Sequence, residues 1–352
     1  MKTRICRLHA KDDLRVEEIE VAPPGKGEVL IAMGAGGICG SDMHYWLDGG
    51  FGPIRVQEPI ILGHEIAGTV RALGDGVEGL SVGDRVAVNP SRPCNNCIYC
   101  RQGLQQHCLT MRFFGSALRF PHEQGGFRDA MVVDAAQCVR LENPDVTLAE
   151  AACAEPLAVC LHALNRAGAT AVNLAGKRVL VTGAGPIGAL TVAALRHAGA
   201  EQIIITDLED YPLEVARRMG ATDAVNIRTD AARLDDFMAD KGHFDLTFEC
   251  SAAPSAIRTA VMATRPQGTV IAVGVAGDTA IPLNLIVGKE ITFAGTHRFT
   301  QEYAEAVRLI DRRIIDARPI ITSTFDLGDA EAAFGIAKDR RNAVKVQLSF
   351  AG

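Results

Sequence analysis

Four cysteines in the first third of the chain are spaced like the ligands of one metal ion. The set is Cys94, Cys97, Cys100 and Cys108, in the pattern C-x2-C-x2-C-x7-C. Four thiolates this close in sequence can close a tetrahedron around Zn²⁺ and leave no position open for a substrate. The pattern therefore predicts a structural zinc site. An iron–sulfur cluster and free thiols are the alternatives, and nothing else in the sequence indicates electron transfer.

A second set of metal-ligand residue types lies on three separate segments. Cys39 lies in GICGSDMHY, His64 and Glu65 lie in GHE, and Glu155 lies in EPL. Together they supply soft, borderline and hard donors. Three protein ligands with a vacant fourth position are the pattern of a catalytic zinc, which is useful beside a hydride acceptor.

The sequence also contains a candidate site for such an acceptor. The motif G-x-G-x-x-G is formed by Gly183, Gly185 and Gly188, together with Pro186 and Ile187. It follows an apolar stretch that predicts a strand, and it opens an apolar helix. In that context the glycines allow a tight turn, the approach of a pyrophosphate and close packing of helix on strand. The motif predicts a dinucleotide site, and a glycine-rich turn in some other α/β domain is the alternative.

One acidic residue bears on which dinucleotide is bound. Asp207 ends the next predicted strand, about 20 residues beyond the motif, where a carboxylate binds ribose hydroxyls. Glu209 and Asp210 follow it, and no Arg or Lys occurs before Arg217. A 2′-phosphate would meet like charge there, so the sequence predicts NAD rather than NADP.

Two kinds of sequence pattern predict the domains that position these residues. Residues 1–150 contain many Gly and Pro among short β-rich runs, which predict an irregular β-barrel-like domain. Residues 155–290 alternate apolar strands with helices, which predicts an α/β domain with a doubly wound parallel sheet. Within that region, residues 280–287 are apolar enough to predict an edge strand that needs cover.

Length and charge limit the class of protein. The chain has 352 residues, enough for about two domains, and its formal net charge of −6 makes nucleic acid a poor partner. The N-terminus lacks an apolar signal segment, so we expect a cytoplasmic protein. The longest uncharged run, residues 179–195, is too short and too rich in Gly to span a membrane.

Through these motifs the chain resembles the zinc-containing medium-chain dehydrogenases/reductases over essentially its whole length. GICGSDMHY, GHE and EPL are similar to the sorbitol dehydrogenase branch, and NPSRPC, MRFFGS, FPH and GGF are similar to its members that act on sugar acids. The resemblance implies a GroES-like irregular β-barrel catalytic domain (residues 1–154) and a Rossmann cofactor domain (155–290). A return segment (291–352) would complete the catalytic domain, and the protein would form a homodimer or homotetramer.

The resemblance also assigns the zinc ligands. It implies that Cys39 and His64 bind the catalytic zinc and that a carboxylate completes the set. Glu155 is favoured for that role, with Glu65 able to exchange with it. Asp42 would hold the His64 imidazole through its other ring nitrogen. Two zinc ions per chain are expected, one catalytic and one structural.

The same resemblance implies a proton path. Ser41 would accept the proton that an alcohol releases when its hydride moves to the nicotinamide, and the path would continue through the cofactor ribose to His44. A zinc-free quinone reductase of this fold would lack Cys39, His64 and the four-cysteine site. An NAD-binding sensor with a purely structural metal is a further alternative. NADH production from a substrate would distinguish an enzyme from such a sensor.

The expected substrate is a small sugar acid or polyol. Arg298 in GTHRF matches a substrate-contacting arginine of the family, and Tyr45 would line the same pocket. Arg112, Arg119 and His122 lie on a loop that overhangs the pocket in this family, and with Arg298 they are expected to receive a carboxylate. The resemblance implies reversible oxidation of L-idonate at carbon 5 to 5-keto-D-gluconate. A neutral polyol such as sorbitol or xylitol is the alternative.

Overall fold

Short strands dominate the N-terminal part of the computed structural model, which describes residues 1–169, 171–275 and 277–351. In chain order its elements are β1 (Lys2–Ala10), β2 (Asp13–Glu20), β3 (Glu28–Gly37), α1 (Gly40–Asp48), β4 (Gly50–Phe51), β5 (Ile54–Arg55), β6 (Ile60–Ile61), β7 (Glu65–Leu73), β8 (Arg85–Val88), β9 (Ser91–Arg92), β10 (Arg112–Phe113), β11 (Ala130–Asp134) and β12 (Cys138–Arg140). Gly and Pro between the apolar runs keep most of these strands short.

Helices and parallel strands alternate through the middle of the chain. The elements are α2 (Leu148–Ala152), α3 (Ala154–Arg166), α4 (Ala171–Leu174), β13 (Arg178–Thr182), α5 (Pro186–His197), β14 (Gln202–Asp207), α6 (Asp210–Arg218), β15 (Asp223–Asn226), α7 (Ala232–Met238), β16 (Phe244–Glu249), α8 (Pro254–Ala263), β17 (Thr264–Ala272), α9 (Leu283–Lys289) and β18 (Thr292–Gly295). The remaining elements are α10 (Glu302–Asp311), β19 (Ile321–Asp326), α11 (Ala330–Lys338) and β20 (Lys345–Ser349).

The cofactor domain contains a six-stranded parallel sheet. Its strand order is β15-β14-β13-β16-β17-β18, the order of two βαβαβ halves joined at β13 and β16. The predicted doubly wound sheet is therefore confirmed. Since β18 pairs with β17, the sheet continues to Gly295, beyond the domain end predicted at residue 290.

Strand β20 lies inside the sheet of the catalytic domain. That sheet has the order β12-β8-β7-β3-β20-β19, with β11 also paired to β3. β20 runs antiparallel to β3, with Gln347 opposite Gly37. The C-terminal segment thus reaches the end of β3, next to the predicted zinc ligand Cys39.

Helix α3 connects the two domains. The largest cluster of buried apolar side chains includes Ala67 of the catalytic sheet, Leu157 of α3, and Val179 and Ile205 of the parallel sheet. Both sheets therefore share one core, and the first turn of α3 lies where they meet. Among the described helices, none combines the length and apolar character that a membrane span requires.

The prediction of an edge strand at residues 280–287 is wrong. Most of that segment belongs to helix α9, and β18 is the edge strand of the sheet instead. Lys289, at the end of α9, is buried and its Nζ donates hydrogen bonds to the carbonyls of Val261, Met262 and Thr264 at 2.9, 2.8 and 2.7 Å. These are carbonyls at the C-terminal end of α8, which a helix would otherwise leave unpaired, so satisfying them favours the observed arrangement.

Candidate active site

Three of the predicted metal ligands come together where β3, β7 and α1 meet. β3 pairs with β7 in a register that sets Gly37 opposite Glu65, which brings Cys39, just after β3, close to His64, just before β7. One ligand atom from each of Cys39, His64 and Glu65 lies within 4.8 Å of the others. Antiparallel pairing is thus what converts two distant segments into one cluster.

Space for the Glu65 carboxylate depends on glycine at residue 37. A Cβ at Gly37 would lie 2.0 Å from Glu65 Oε2, far inside van der Waals contact. Any other residue would have to displace the carboxylate or spread the strands. The glycine therefore has a steric role in the site.

Lys345, which sequence reasoning missed, pairs with Glu65. Its Nζ donates hydrogen bonds to Glu65 Oε1 at 2.7 Å and to the carbonyl of Ile38 at 3.0 Å, and both charged side chains are only 2% exposed. Burial alone lowers the pKa of Lys345, but the negative charges of Glu65 and Cys39 outweigh burial and raise it. The ammonium therefore remains charged, and it occupies one of the two Glu65 oxygens.

The donor set of this cluster fits zinc. Thiolate, imidazole and carboxylate are its usual protein ligands. Within the described part of the chain, His64 Nδ1 and Glu65 Oε2 are buried without a hydrogen-bond partner. Buried polar atoms are normally satisfied, so two such atoms in a cluster of metal-ligand residues point to a bound cation.

Glu155 lies beside this cluster, in the first turn of α3. Among the described residues it falls outside the group whose ligand atoms lie within 4.8 Å of one another, so Glu65 rather than the favoured Glu155 accompanies Cys39 and His64. Burial raises the pKa of Glu155 to about 8; the charges of Glu65 and Cys39 act in the same direction and that of His64 opposes it. A cation in the cluster would favour the ionised carboxylate instead.

Asp42 does not form the predicted hydrogen bond with His64. Its Oδ1 lies 3.8 Å from His64 Nδ1, too far for a hydrogen bond. Its carboxylate instead accepts hydrogen bonds from the N–H groups of Cys39 at 3.0 Å and Gly63 at 3.2 Å. Cys39 immediately precedes α1, and the bond from its N–H to Asp42, the third residue of the helix, is a capping interaction that sets the position of the carboxylate. Asp42 therefore fixes the backbone of two ligand-bearing segments, and its carboxylate also lies within ion-pair distance of the imidazole.

The four-cysteine set forms a second cluster, between β9 and β10. The sulfur atoms of Cys94, Cys97, Cys100 and Cys108 all lie within 4.8 Å of one another. The N–H of Cys94 donates to Cys108 Sγ at 3.2 Å, and the N–H of Cys97 donates to Cys94 Sγ at 3.3 Å. Backbone hydrogen bonds, that of Asn96 first, lower the pKa of Cys94 to about 6. A thiolate is thus favoured at one of the ligands before any metal binds.

Arg298 lies over an aromatic wall of the metal cluster. Its Cζ is 4.1 Å from the centre of the Phe113 ring, and that ring is 5.4 Å from the His64 ring. Burial lowers the pKa of Arg298, and the negative charge of Glu155 opposes part of that lowering. Arg298 has a φ of +52°, which is uncommon for a residue with a side chain and is found at strained functional sites. Arg298 and the predicted ligands therefore border the same space.

Tyr45 is buried on the same side of the site. Its side chain is in the core of the catalytic domain, and its hydroxyl accepts a hydrogen bond from the N–H of Ala117 at 3.2 Å. Burial raises the pKa of Tyr45, with Arg298 opposing that effect. The phenol therefore stays neutral and forms part of the wall near Arg298.

The other predicted carboxylate receptors are already engaged. Arg112 donates to Glu123 at 2.6 Å, and Arg119 donates to the carbonyls of Leu109 and Met111. The His122 ring accepts from the N–H of Gln57 at 2.9 Å and contacts the Arg119 carbonyl at 2.7 Å. These contacts hold the loop together, and the expectation that Arg112, Arg119 and His122 receive a substrate carboxylate stays a prediction.

The two predicted relay residues lie on α1, directly after Cys39. Ser41 is half-buried in the first turn of the helix, whereas His44 is 50% exposed. Their i,i+3 spacing sets them on neighbouring positions of one helix face. His44 Nδ1 lies 2.9 Å from Asp48 Oδ2, and its ring is 5.0 Å from that of Phe51. The helix thus leads from the metal cluster to solvent.

The G-x-G-x-x-G motif forms the turn between β13 and α5. Gly185 precedes the helix and Pro186 is its first residue. A Cβ at Gly188 would lie 1.8 Å from the Gly183 carbonyl oxygen, so the helix packs against the turn only because residue 188 is glycine. This is the predicted strand–turn–helix geometry for a pyrophosphate at a helix N-terminus.

Asp207 lies beside this turn, but its surroundings are less acidic than the sequence suggests. Arg340 Nη2 lies 3.2 Å from Asp207 Oδ2, and Arg228 Nη2 lies 2.8 Å from Glu209 Oε1. Both arginines lie far from Asp207 in sequence. The prediction considered only the residues that follow Asp207 directly. The prediction that a 2′-phosphate meets only like charge is therefore incomplete.

Comparison with known proteins assigns the family. The alcohol dehydrogenase GroES-like domain matches residues 25–143, and the zinc-binding dehydrogenase domain matches residues 186–312. The L-idonate 5-dehydrogenase (NAD(P)(+)) of Escherichia coli is 39% identical, with 99% of each chain covered, and human sorbitol dehydrogenase is 34% identical over 93% of this chain and 90% of its own. The chain belongs to the zinc-binding dehydrogenases, the medium-chain dehydrogenase/reductase family, and is an oxidoreductase.

Solved structures agree with this assignment. The crystal structure of L-idonate 5-dehydrogenase from E. coli has a TM-score of 0.93 at 38% identity, with 99% of each chain covered. That of 2R,3R-butanediol dehydrogenase from Bacillus subtilis has a TM-score of 0.85 at 30% identity, also with 99% of each chain covered. The family inferred from the sequence motifs and the two-part fold are thus confirmed.

Proposed function

We propose that the protein catalyses the reversible, NAD-dependent oxidation of L-idonate at carbon 5 to 5-keto-D-gluconate. The observation that carries this proposal is the Arg298 guanidinium, held over Phe113 beside the metal cluster. A carboxylate at one end of a sugar acid pairs with this cation, while a hydroxyl further along the chain reaches the cluster. The 39% identity to an L-idonate 5-dehydrogenase supports the same substrate class.

The residues around the cluster divide the work of the reaction. Zinc, when held by Cys39, His64 and one carboxylate, supplies a Lewis acid that favours ionisation of the substrate hydroxyl, and the nicotinamide supplies the hydride acceptor. Ser41 accepts the proton from that hydroxyl as it donates its own proton onward, and exposed His44, oriented by Asp48, delivers a proton to solvent.

Other groups fix the geometry around the reacting carbon. Lys345 holds one Glu65 oxygen, so that carboxylate offers a single oxygen to the cluster. Phe113 and Tyr45 close the wall beside the substrate and limit access of water. Exclusion of water strengthens the attraction between Arg298 and a substrate carboxylate.

For the cofactor we propose NAD as the preferred dinucleotide. Asp207 ends β14 and accepts a hydrogen bond from the N–H of Ala184 in the dinucleotide turn, where its carboxylate suits ribose hydroxyls. A 2′-phosphate would have to approach the same carboxylate.

A neutral polyol is the second candidate substrate. Arg112 and Arg119 are engaged within their own loop, so the distinction between an acid and a polyol depends mainly on Arg298. Sorbitol dehydrogenases at 34–35% identity support this alternative.

A substrate panel with one matched control tests the proposal. NADH formation from L-idonate, sorbitol and xylitol is compared in the wild type, Arg298→Ala and Arg112→Ala. A charge-assisted hydrogen bond contributes about 1.5–3 kcal/mol, so Arg298→Ala should lower kcat/KM for L-idonate by about 10- to 150-fold and for sorbitol by less. Arg112→Ala should change either value by less than about threefold, since Glu123 already holds that side chain. A kcat/KM for sorbitol or xylitol tenfold above that for L-idonate would establish the polyol alternative.

A further inference from the structure

Arg340 reaches from the catalytic domain to the dinucleotide turn. It lies in the loop between α11 and β20, and its Nη2 is 3.2 Å from Asp207 Oδ2. A Cβ at Gly185 would lie 3.3 Å from the same Nη2 and 3.7 Å from Cζ. The guanidinium therefore covers the turn that a pyrophosphate approaches in a G-x-G-x-x-G motif.

Asp207 does not depend on Arg340 for its orientation. Its Oδ2 accepts a hydrogen bond from the N–H of Ala184 at 2.6 Å, and its Oδ1 accepts from the N–H groups of Leu208 at 2.7 Å and Glu209 at 3.2 Å. These three backbone donors fix the carboxylate. The arginine is an additional partner at a position where the ribose is expected.

The ion pair is also poorly suited to a structural role. The Arg340 side chain is 54% exposed, although Asp207 is only 7% exposed. Ion pairs with one solvent-exposed partner contribute little to stability, and a long exposed side chain moves easily. Arg340 can therefore leave Asp207 at small cost when another anion is offered.

We propose that Arg340 is a cofactor-binding residue whose guanidinium moves from Asp207 to a phosphate group of the dinucleotide when the cofactor enters. The proposal rests on the proposed function in that the ligand is a nicotinamide dinucleotide. A guanidinium binds phosphate groups through paired hydrogen bonds. The pyrophosphate of either dinucleotide and the 2′-phosphate of NADP both offer such a group. Departure of Arg340 frees one oxygen of Asp207 for the ribose, so one movement serves both parts of the cofactor.

The charge balance around the ribose supports this exchange. Glu209 is neutralised by Arg228 at 2.8 Å, so Asp207 and Arg340 form the second of two oppositely charged pairs there. A phosphate that takes Arg340 from Asp207 enters a region of balanced charge rather than a purely acidic one.

Direct binding to the zinc-loaded protein tests the proposal without an activity readout. The Kd values of NADH and NADPH are measured by fluorescence titration at low salt for the wild type, Arg340→Ala, Arg340→Lys and Arg341→Ala. Arg341 is the matched control, because it lies on the same loop and pairs with Asp339 at 3.1 Å instead of with Asp207. Arg340→Ala should raise at least one Kd by about tenfold, equivalent to about 1.4 kcal/mol, while Arg341→Ala stays within about twofold.

Each outcome has one meaning. Equal losses for NADH and NADPH in Arg340→Ala identify the pyrophosphate as the contact, and a loss confined to NADPH identifies the 2′-phosphate; partial recovery in Arg340→Lys supports either. Kd values of Arg340→Ala that are unchanged or lower for both dinucleotides overturn the proposal, because Arg340 would then only compete for Asp207. Absence of dinucleotide binding by the wild type would overturn the proposed function as well.

Discussion

The buried pair of Lys345 and Glu65 provides the sharpest test of how the metal cluster is built. Lys345→Met removes the ammonium but retains a long apolar side chain of similar size. At 2.7 Å and an effective dielectric constant of about 20, the Coulomb attraction in the pair is about 6 kcal/mol. The desolvation of both groups cancels part of this attraction. Removing one partner from a buried pair still costs about 3–5 kcal/mol, because the other charge is left unpaired.

The chain contains a single tryptophan that reports on this domain. Trp46 lies in α1, and its ring is 5.5 Å from that of Phe334 in α11. Urea unfolding of the metal-free protein followed by Trp46 fluorescence therefore measures the free energy of unfolding of the catalytic domain. We expect Lys345→Met to lower it by about 3–5 kcal/mol and Lys345→Arg, which keeps the charge, to lower it by less.

A double-mutant cycle separates the pair from general loss of packing. Glu65→Gln removes the negative charge, so Lys345→Met in that background should cost markedly less than in the wild type. Zinc should also reduce the cost of Lys345→Met alone, since Glu65 is then free to bind the metal with either oxygen. A loss below about 1 kcal/mol in the metal-free protein, or equal costs in both backgrounds, would refute the assigned role of Lys345.

Two further predictions concern metal content and acid stability. Metal analysis should find two zinc ions per wild-type chain, and Cys39→Ala should retain one of them with its fold intact; two retained zincs and full activity in that variant would contradict the assignment. Burial alone raises the pKa of Glu302, but hydrogen bonds from His162, Thr300 and Asn165 hold it at about 2, against an ordinary value of 4.5. A lowered pKa stabilises the fold above about pH 4.5, and that contribution of about 3 kcal/mol is lost as the pH falls from 4.5 towards 2. Glu302→Gln should therefore unfold more easily at neutral pH and lose less stability over that acid range than the wild type; identical acid profiles would contradict this.

Local patterns in the sequence were sufficient for the fold and for part of the site. The G-x-G-x-x-G turn is predicted because a strand, a helix and three glycines are adjacent in the chain. The four-cysteine cluster is predicted because all of its members lie between residues 94 and 108. In both cases the chemistry depends on residues that are close together in sequence, so the sequence pattern alone predicts the site.

The parts that were missed depend on contacts between distant residues. Lys345 meets Glu65 only because β20 pairs with β3, and Arg340 meets Asp207 only because the C-terminal loop crosses to the cofactor domain. A lysine in the apolar stretch AVKVQLS was the one available signal, since a charged residue inside a buried strand needs a partner. At Arg112 the sequence shows the charge but not the partner, Glu123, that holds it.

The C-terminal segment therefore does more than complete a sheet. Arg340 and Lys345 are five positions apart, yet one contacts the carboxylate expected to bind ribose and the other contacts a carboxylate of the metal cluster. The register of β20 is fixed by its pairing with β3, which holds Lys345 in place, whereas Arg340 lies in the loop before that strand and is exposed. One short stretch thus supplies a fixed charge to the catalytic centre and a movable charge to the cofactor. This difference follows from whether the backbone at each residue is hydrogen-bonded in the sheet.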